Sequence, residues 1–246
     1  CRLATVEPMT STPPPSTAPA RRRLVVDAPT RMFHALLALS FAGAYLTAES
    51  DGWRTLHVVL GYGMAALLGW RVLYGLVGPR ASRLSALVRK LQGLPAWLRG
   101  QPLSAAGMRQ GATLAMAASI AGVLLLVAPT ALSGHATWND WGGEWLEDLH
   151  ETLGNALLAL VGLHVAMVAA LSLARRRNLA LAMVTGRAEG AGPDLVARNR
   201  GWLAAVLLVA FVGFGAWLWQ TPAVVAGAGD SATHSRHHGH GHEGGR

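Results

Sequence analysis

The sequence is short of cysteine and of charge. Its 246 residues include one cysteine, at position 1, so no disulfide can form among them. Covalent haem attachment requires a C-x-x-C-H motif, and an iron–sulfur cluster held by thiolates requires several cysteines, so both are excluded. Charged residues make up 14% of the chain, whereas soluble domains carry about a quarter. These shortages exclude an ordinary soluble domain and leave histidine as the residue that can hold a redox cofactor.

Long apolar blocks make up much of the chain. Hydrophobic residues make up 52% of the chain, and a membrane-spanning helix needs about 20 mostly apolar residues. Lipid offers the backbone no hydrogen-bond partner, so such blocks should be helices. The sequence predicts an all-α bundle in a lipid bilayer, with spans at Thr30–Ala48, Trp53–Val77, Gly111–Ser133, Leu149–Leu173 and Gly201–Trp219.

The basic residues lie between the apolar blocks, which argues against a nucleic-acid partner and predicts an orientation. Eighteen of the 21 Lys and Arg residues fall before the first span, after the second, after the fourth, or near the inner end of the second. The segment 134–148 has no Lys or Arg and carries four acidic residues. Because basic residues accumulate on the cytoplasmic side, we expect a cytoplasmic N-terminus and an external C-terminus.

The remaining segments complete the predicted organisation. Residues 1–23 are rich in Pro, Ser and Thr and are expected to be disordered. No signal peptide is visible, and Met9 is a candidate start that would make Cys1–Pro8 an upstream extension. Residues 81–99 fit either a basic amphipathic helix on the inner surface or a solvated loop. We therefore divide the chain into a cytoplasmic segment (1–23), a core (24–190), a fifth span (198–220) and an external tail rich in His and Gly (221–246).

Four histidines lie in or at the ends of the spans, where an ionisable residue is costly and marks a functional site by default. His34 lies near the inner face, and His57 and His150 lie near the outer face. His164 follows His150 by 14 residues, which places it about 21 Å deeper on an α-helix. Because 14 residues are two heptads, His150 and His164 lie on nearly the same face of the helix. The depths therefore predict an outer pair, His57 with His150, and an inner pair, His34 with His164.

Two imidazoles that face each other across a bundle are the axial ligands of a six-coordinate b haem, so the pairs predict two non-covalent haems. A flat macrocycle needs room, and Gly61 and Gly154 follow the outer histidines by one turn on the same stripe. Three arginines near the membrane faces are candidates for neutralising haem propionates, although anchoring at the membrane surface also explains them: Arg31, Arg54 and Arg71.

Two other interpretations of the histidines remain open. A histidine inside a membrane often hydrogen-bonds a neighbouring helix. Stacked histidines can also form a proton relay, which normally includes carboxylates inside the membrane. The spans have no clear intramembrane carboxylate.

Several stretches resemble the bacterial cytochrome b561 and nickel–iron hydrogenase b-type cytochrome subunit superfamily. They are VVDAPTRMFHALLALSFAGAYLT, LHVVLGYGMAALLGWRVLYGLVGPRASRLS, QPLSA and LHETLGNALLALVGLHVAMVAALSLARRRNLALAMVTGR. The resemblance runs from about Val25 to Arg187. It implies a four-helix bundle in the bacterial inner membrane that holds two b haems. The family's ligands fall on His34, His57, His150 and His164.

The resemblance also implies a function: electron transfer between a partner outside the membrane and the quinone pool. The partner would be a periplasmic c-type cytochrome or a hydrogenase-like subunit, and the acidic segment 134–148 suits a basic partner. Quinone would bind near one haem at the lipid boundary. The fifth span has no histidine and departs from the four-helix pattern, so we expect it to pack outside the haem core or against a partner.

Two other functions remain open. One is a stand-alone oxidoreductase that passes electrons from superoxide to quinone, although the acidic outer surface opposes an anionic substrate. The other is a non-redox membrane protein with a metal-binding tail. Neutral imidazoles bind divalent metals, and the tail offers His237, His238, His240 and His242.

The tail and the core are expected to be independent. Removing residues 230–246 should leave the haem content of the purified chain unchanged, because none of the four ligand histidines lies there. The pyridine haemochrome assay measures this. A loss of haem in the truncated chain would contradict the separation of tail and core.

Overall fold

The computed structural model describes residues 22–79, 82–100, 104–190 and 192–221. The long helices are α1 (Ala28–Thr47), α2 (Arg54–Val77), α5 (Ala105–Trp138), α6 (Glu144–Ala174) and α8 (Gly201–Gln220). A 3₁₀ turn, Asp51–Trp53, precedes α2. The shorter elements are β1 (Arg22–Leu24), α3 (Leu84–Leu91), α4 (Leu94–Arg99), α7 (Leu181–Thr185) and β2 (Arg187–Glu189). The chain is an all-α membrane bundle, which confirms the predicted fold class.

Four helices of the described residues are long and apolar enough to cross a membrane: α2 with its preceding turn, α5, α6 and α8. Helix α1 has the length of a span but a lower mean hydropathy, because Arg31 and His34 lie in its first two turns. It contacts α2 at both ends, where Tyr74 bonds Asp27 and His57 bonds Ala44. Helix α1 is therefore antiparallel to α2 and covers the same thickness.

The helices pack as two antiparallel hairpins, α1–α2 and α5–α6, joined where α2 meets α5. A central layer of buried apolar side chains holds the hairpins together; Val127 and Leu157 are each only 1% exposed. Helix α6 packs mainly along α5, and it contacts α1 through Tyr45 and Asn155 and α2 through His57 and His150. We call the end that carries His57 and His150 the outer end, and the opposite end the inner end.

Helix α8 lies outside this four-helix core, as expected from its lack of histidine. It packs against α1 and α2. Leu207 joins the cluster of Phe33, Leu36 and Leu67, and a Cβ on Gly63 would lie 2.9 Å from the ring of Phe211. The small residue at position 63 therefore lets α8 approach α2 closely.

The inner end is closed by an inner cap, defined as residues 22–27 together with 182–190 and 192–199. Strand β1 pairs antiparallel with β2, and the Gly186 carbonyl accepts hydrogen bonds from the amides of Val25 (2.8 Å) and Val26 (3.1 Å). The Arg31 guanidinium donates to the Val184 carbonyl at 2.7 Å. Asp27 is fully buried, caps α1 by accepting from the Thr30 amide, and accepts from the Tyr74 hydroxyl.

Several boundaries differ from those that the sequence predicted. Arg22 and Arg23, placed in the segment expected to be disordered, form a strand because residues 187–189 supply its backbone partners. Residues 84–99 form two short helices, separated by a turn at Gln92 and Gly93. Helices α5 and α6 extend beyond the predicted spans. His135, which the predicted spans leave in the loop between the third and fourth spans, therefore lies in α5. The expected disorder of residues 1–21 and the tail histidines lie outside the described residues.

Gly186 should be indispensable to the inner cap. It adopts φ +76°, and a Cβ there would lie 2.7 Å from the Val26 carbonyl oxygen. Gly186→Ala should lower stability by about 1–2 kcal/mol from the left-handed backbone alone, with the contact adding to it. The thermal unfolding midpoint in detergent measures the loss. Gly69→Ala is the control, because its Cβ would meet nothing within 4 Å; equal midpoints for the two variants would contradict the prediction.

Candidate functional site

The structure brings the rings of His57 of α2 and His150 of α6 together at the outer end, edge to face. Their ring centroids are 6.0 Å apart and the ring planes are nearly perpendicular, at 85°. Two imidazoles that share a metal at about 2 Å from each nitrogen have ring centres about 6 Å apart once the rings' own radii are added. The spacing of this pair therefore fits one metal ion between them.

The hydrogen bonds of the pair fix the tautomer of each ring. His57 Nδ1 lies 2.7 Å from the Ala44 carbonyl oxygen, and His150 Nδ1 lies 3.0 Å from that of Thr130. A carbonyl can only accept, so each Nδ1 carries the proton. In a neutral imidazole the lone pair is then on Nε2. A metal-ligating histidine is usually held in this way, with its second ring nitrogen donating to a carbonyl or a carboxylate.

Two serines of α5 hold the two histidines of α6. Ser133 Oγ lies 3.2 Å from His150 Nδ1, and Ser119 Oγ lies 3.0 Å from His164 Nδ1. Each hydroxyl donates its proton to the backbone carbonyl three residues earlier, at Thr130 or Met116. Each serine oxygen therefore accepts from the imidazole, and His164, like His150, has its lone pair on Nε2.

His34 and His164 are the predicted inner pair. They lie close enough to interact electrostatically, although within the described residues His34 makes no hydrogen bond that would fix its ring. His34 is also more exposed than the other three histidines. The structure thus brings His57 and His150 into ring contact, and within the described residues the outer rings have more hydrogen-bond acceptors than the inner rings.

The apolar layer separates the two pairs. Met64 follows His57 by seven residues, and Leu157 lies seven residues from both His150 and His164. Both side chains are buried, together with Val127 of α5. The layer excludes water between the two ends of the bundle.

The space beside the outer pair suits a flat cofactor. A Cβ on Gly61 or on Gly154 would meet nothing within 4 Å, although both glycines lie in partly buried positions. By contrast, a Cβ on Gly43 would lie 2.6 Å from Leu60, and one on Gly122 would lie 2.7 Å from Leu160. Gly61 and Gly154 therefore border unfilled space one turn from His57 and His150, which is compatible with a flat cofactor there.

The three candidate arginines differ in their surroundings. Arg71 Nη1 is buried and has no hydrogen-bond partner within the described residues, so it can donate a hydrogen bond to an anionic group. Arg54 lies over the Trp138 ring at 5.8 Å. Arg31 donates to Val184 and to Asn199 in the inner cap, which leaves its two terminal nitrogens less free for a propionate.

The serine and carbonyl acceptors that orient the histidine rings were not predicted from the sequence. The two serines are 14 residues apart on α5, the same spacing as His150 and His164 on α6. That match in antiparallel helices is a signal that could have found Ser119 and Ser133. The carbonyls of Ala44 and Thr130 carry no such signal. The partner of His135 was not predicted either: its Nδ1 lies 2.7 Å from the Tyr62 hydroxyl.

Other metal sites are not evident. Among the described residues, no group of three or more His, Cys, Asp or Glu side chains is arranged to hold a metal ion. A bis-histidine haem site needs only two protein ligands, so this result is compatible with the two pairs.

The fold defines a helical membrane protein, and the contact of His57 with His150 between its helices is compatible with a metal-centred cofactor there. A family model described as prokaryotic cytochrome b561 matches residues 25–186, more than half of the chain. The chain belongs to this family, which makes it a membrane protein of b-type haem and electron transfer. No curated protein and no solved structure matches it.

Gly134 should be required for the outer pair. A Cβ at this position would lie 2.7 Å from His150 Cε1, so Gly134→Ala should displace the ring and remove up to half of the bound haem. Haem per polypeptide, from the haemochrome assay, measures the effect. Gly162→Ala on α6 faces open space and should retain all of it. Full haem content in both variants would contradict the assignment.

Proposed function

We propose that the chain is a transmembrane cytochrome with two b haems that transfers electrons between a periplasmic redox partner and the membrane quinone pool. His57 and His150 hold the outer haem, and His34 and His164 hold the inner haem. The observation that carries the proposal is the outer pair: two rings 6.0 Å apart, each with its Nδ1 bound to a carbonyl and its Nε2 left free.

Haem, when bound, supplies reversible one-electron redox chemistry. The chain's own residues orient the ligand rings, exclude water and compensate charge. The hydrogen bonds of Ala44, Thr130, Ser119 and Ser133 hold three of the four rings. The buried Nη1 of Arg71 is a donor for a propionate at the inner end, and Arg54 lies at the outer end near His57.

The separation of the pairs suits transfer across the bilayer. Fourteen residues of α6 separate the two α6 ligands, which corresponds to about 21 Å. The apolar layer around Leu157 lies midway and keeps the dielectric low. Neither ring pair has a carboxylate as a hydrogen-bond partner within the described residues, which favours electron transfer over a proton relay.

The surface of the outer end supports a basic protein partner. Asp140, Glu144, Glu147 and Asp148 are all exposed, and a negative patch attracts a positive one at long range. A c-type cytochrome with a basic face fits this surface, and a hydrogenase-like subunit is the other partner class. The same charges repel superoxide. With the basic segments of the inner end on the cytoplasmic side, this face is periplasmic.

Substitution of the ligand histidines tests the proposal. The purified chain should show a reduced-minus-oxidised α-band of b haem and two haems per polypeptide. His150→Ala and His164→Ala should each lose one haem, and the double variant should lose both. His135→Ala is the matched control, because its Nδ1 bonds Tyr62, and it should retain both haems. The absence of a b-type spectrum, or haem content unaffected in the double variant, would refute the proposal.

A further inference from the structure

The two histidine pairs are held by hydrogen bonds of different strength. At the outer end both Nδ1 protons point to backbone carbonyls, at 2.7 Å for His57 and 3.0 Å for His150, and Ser133 adds a third acceptor. At the inner end His164 has one hydroxyl acceptor, Ser119, at 3.0 Å. Within the described residues His34 has none.

This difference has a chemical consequence for a bound metal. An imidazole that donates its Nδ1 proton to a good acceptor becomes a more basic ligand at Nε2. A more basic axial ligand stabilises the ferric state over the ferrous state and so lowers the reduction potential. The outer ligands should therefore give a lower potential than the inner ligands.

The charges of the two ends act mostly in the same direction. Helix α6 begins with Glu144 and Glu147, in the two turns before His150, and negative charge stabilises the ferric state. The inner end has Arg71, whose buried Nη1 has no hydrogen-bond partner within the described residues, and positive charge stabilises the ferrous state; the buried carboxylate of Asp27 interacts with Arg71 and offsets part of this charge. Arg54, near His57, opposes this trend, but it lies over the face of Trp138.

We propose that the Nδ1 hydrogen bonds order the two haems in potential, with the outer haem lower, so that electrons flow inward. The proposal rests on the function proposed above and adds its direction. An external one-electron donor protein is oxidised at the outer end. Two such electrons, with two protons taken up at the inner end, reduce one quinone to quinol. Ser119 and Ser133 are positioning residues in this scheme, since they act through the histidines.

Spectroelectrochemistry of the full chain tests the order, because each serine marks one haem. Two b-type components are expected. Ser119→Ala removes the described acceptor of His164 and should move the higher component further upward. Ser133→Ala leaves the Thr130 carbonyl in place and should move the lower component upward by a smaller amount. Each substitution should leave the other component unchanged.

Further variants separate this effect from a general loss of structure. Ser119→Thr keeps the hydroxyl and should hold the higher component near its wild-type position. Ser119→Cys supplies a weaker acceptor and replaces the alanine variant if that one loses haem. If Ser119 variants move the lower component, or move neither while haem is retained, the proposed order is overturned. A chain without b haem would instead overturn the proposed function, so the two failures are distinguishable.

Discussion

The arrangement of the bundle depends on one constraint: an imidazole N–H inside a membrane must find its partner within the protein. Water is absent there, and an unpaired polar group costs several kcal/mol in such surroundings. The bundle meets this need with carbonyls and hydroxyls of the adjacent helix: Ala44 for His57, Thr130 and Ser133 for His150, and Ser119 for His164. For these three rings, satisfying Nδ1 in this way leaves the lone pair on Nε2, so the packing of neighbouring helices also sets the tautomer.

The sequence was sufficient to predict that His57 and His150 meet at one end of the bundle, because helix rise is constant. A spacing of 14 residues sets both a distance and a face, and the chain order sets the direction of each helix. The sequence was insufficient for the carbonyl acceptors, since every residue carries one and only the packing selects Ala44 and Thr130. It also underestimated the lengths of α5 and α6, whose ends remain helical beyond the predicted spans. His135 was misplaced for that reason.

Helix α1 illustrates a different limit of sequence reasoning. Its hydropathy is lowered by Arg31 and His34, so composition alone ranks it below the other four spans. Hydrogen bonds at its inner end help to hold it in the bundle: Arg31 donates to the Val184 carbonyl, and Asp27 accepts from the Tyr74 hydroxyl. Polar residues that would weaken an isolated span are accommodated because the inner cap supplies their hydrogen bonds.

The inner cap joins chain segments that are far apart in sequence. Strand β1 ends at Leu24, and its partner strand begins at Arg187, so the ribosome completes α1, α2, α5 and α6 before the two can pair. The first helix therefore enters the membrane without its final anchor. Chain order thus makes closure of the cap one of the last steps of assembly.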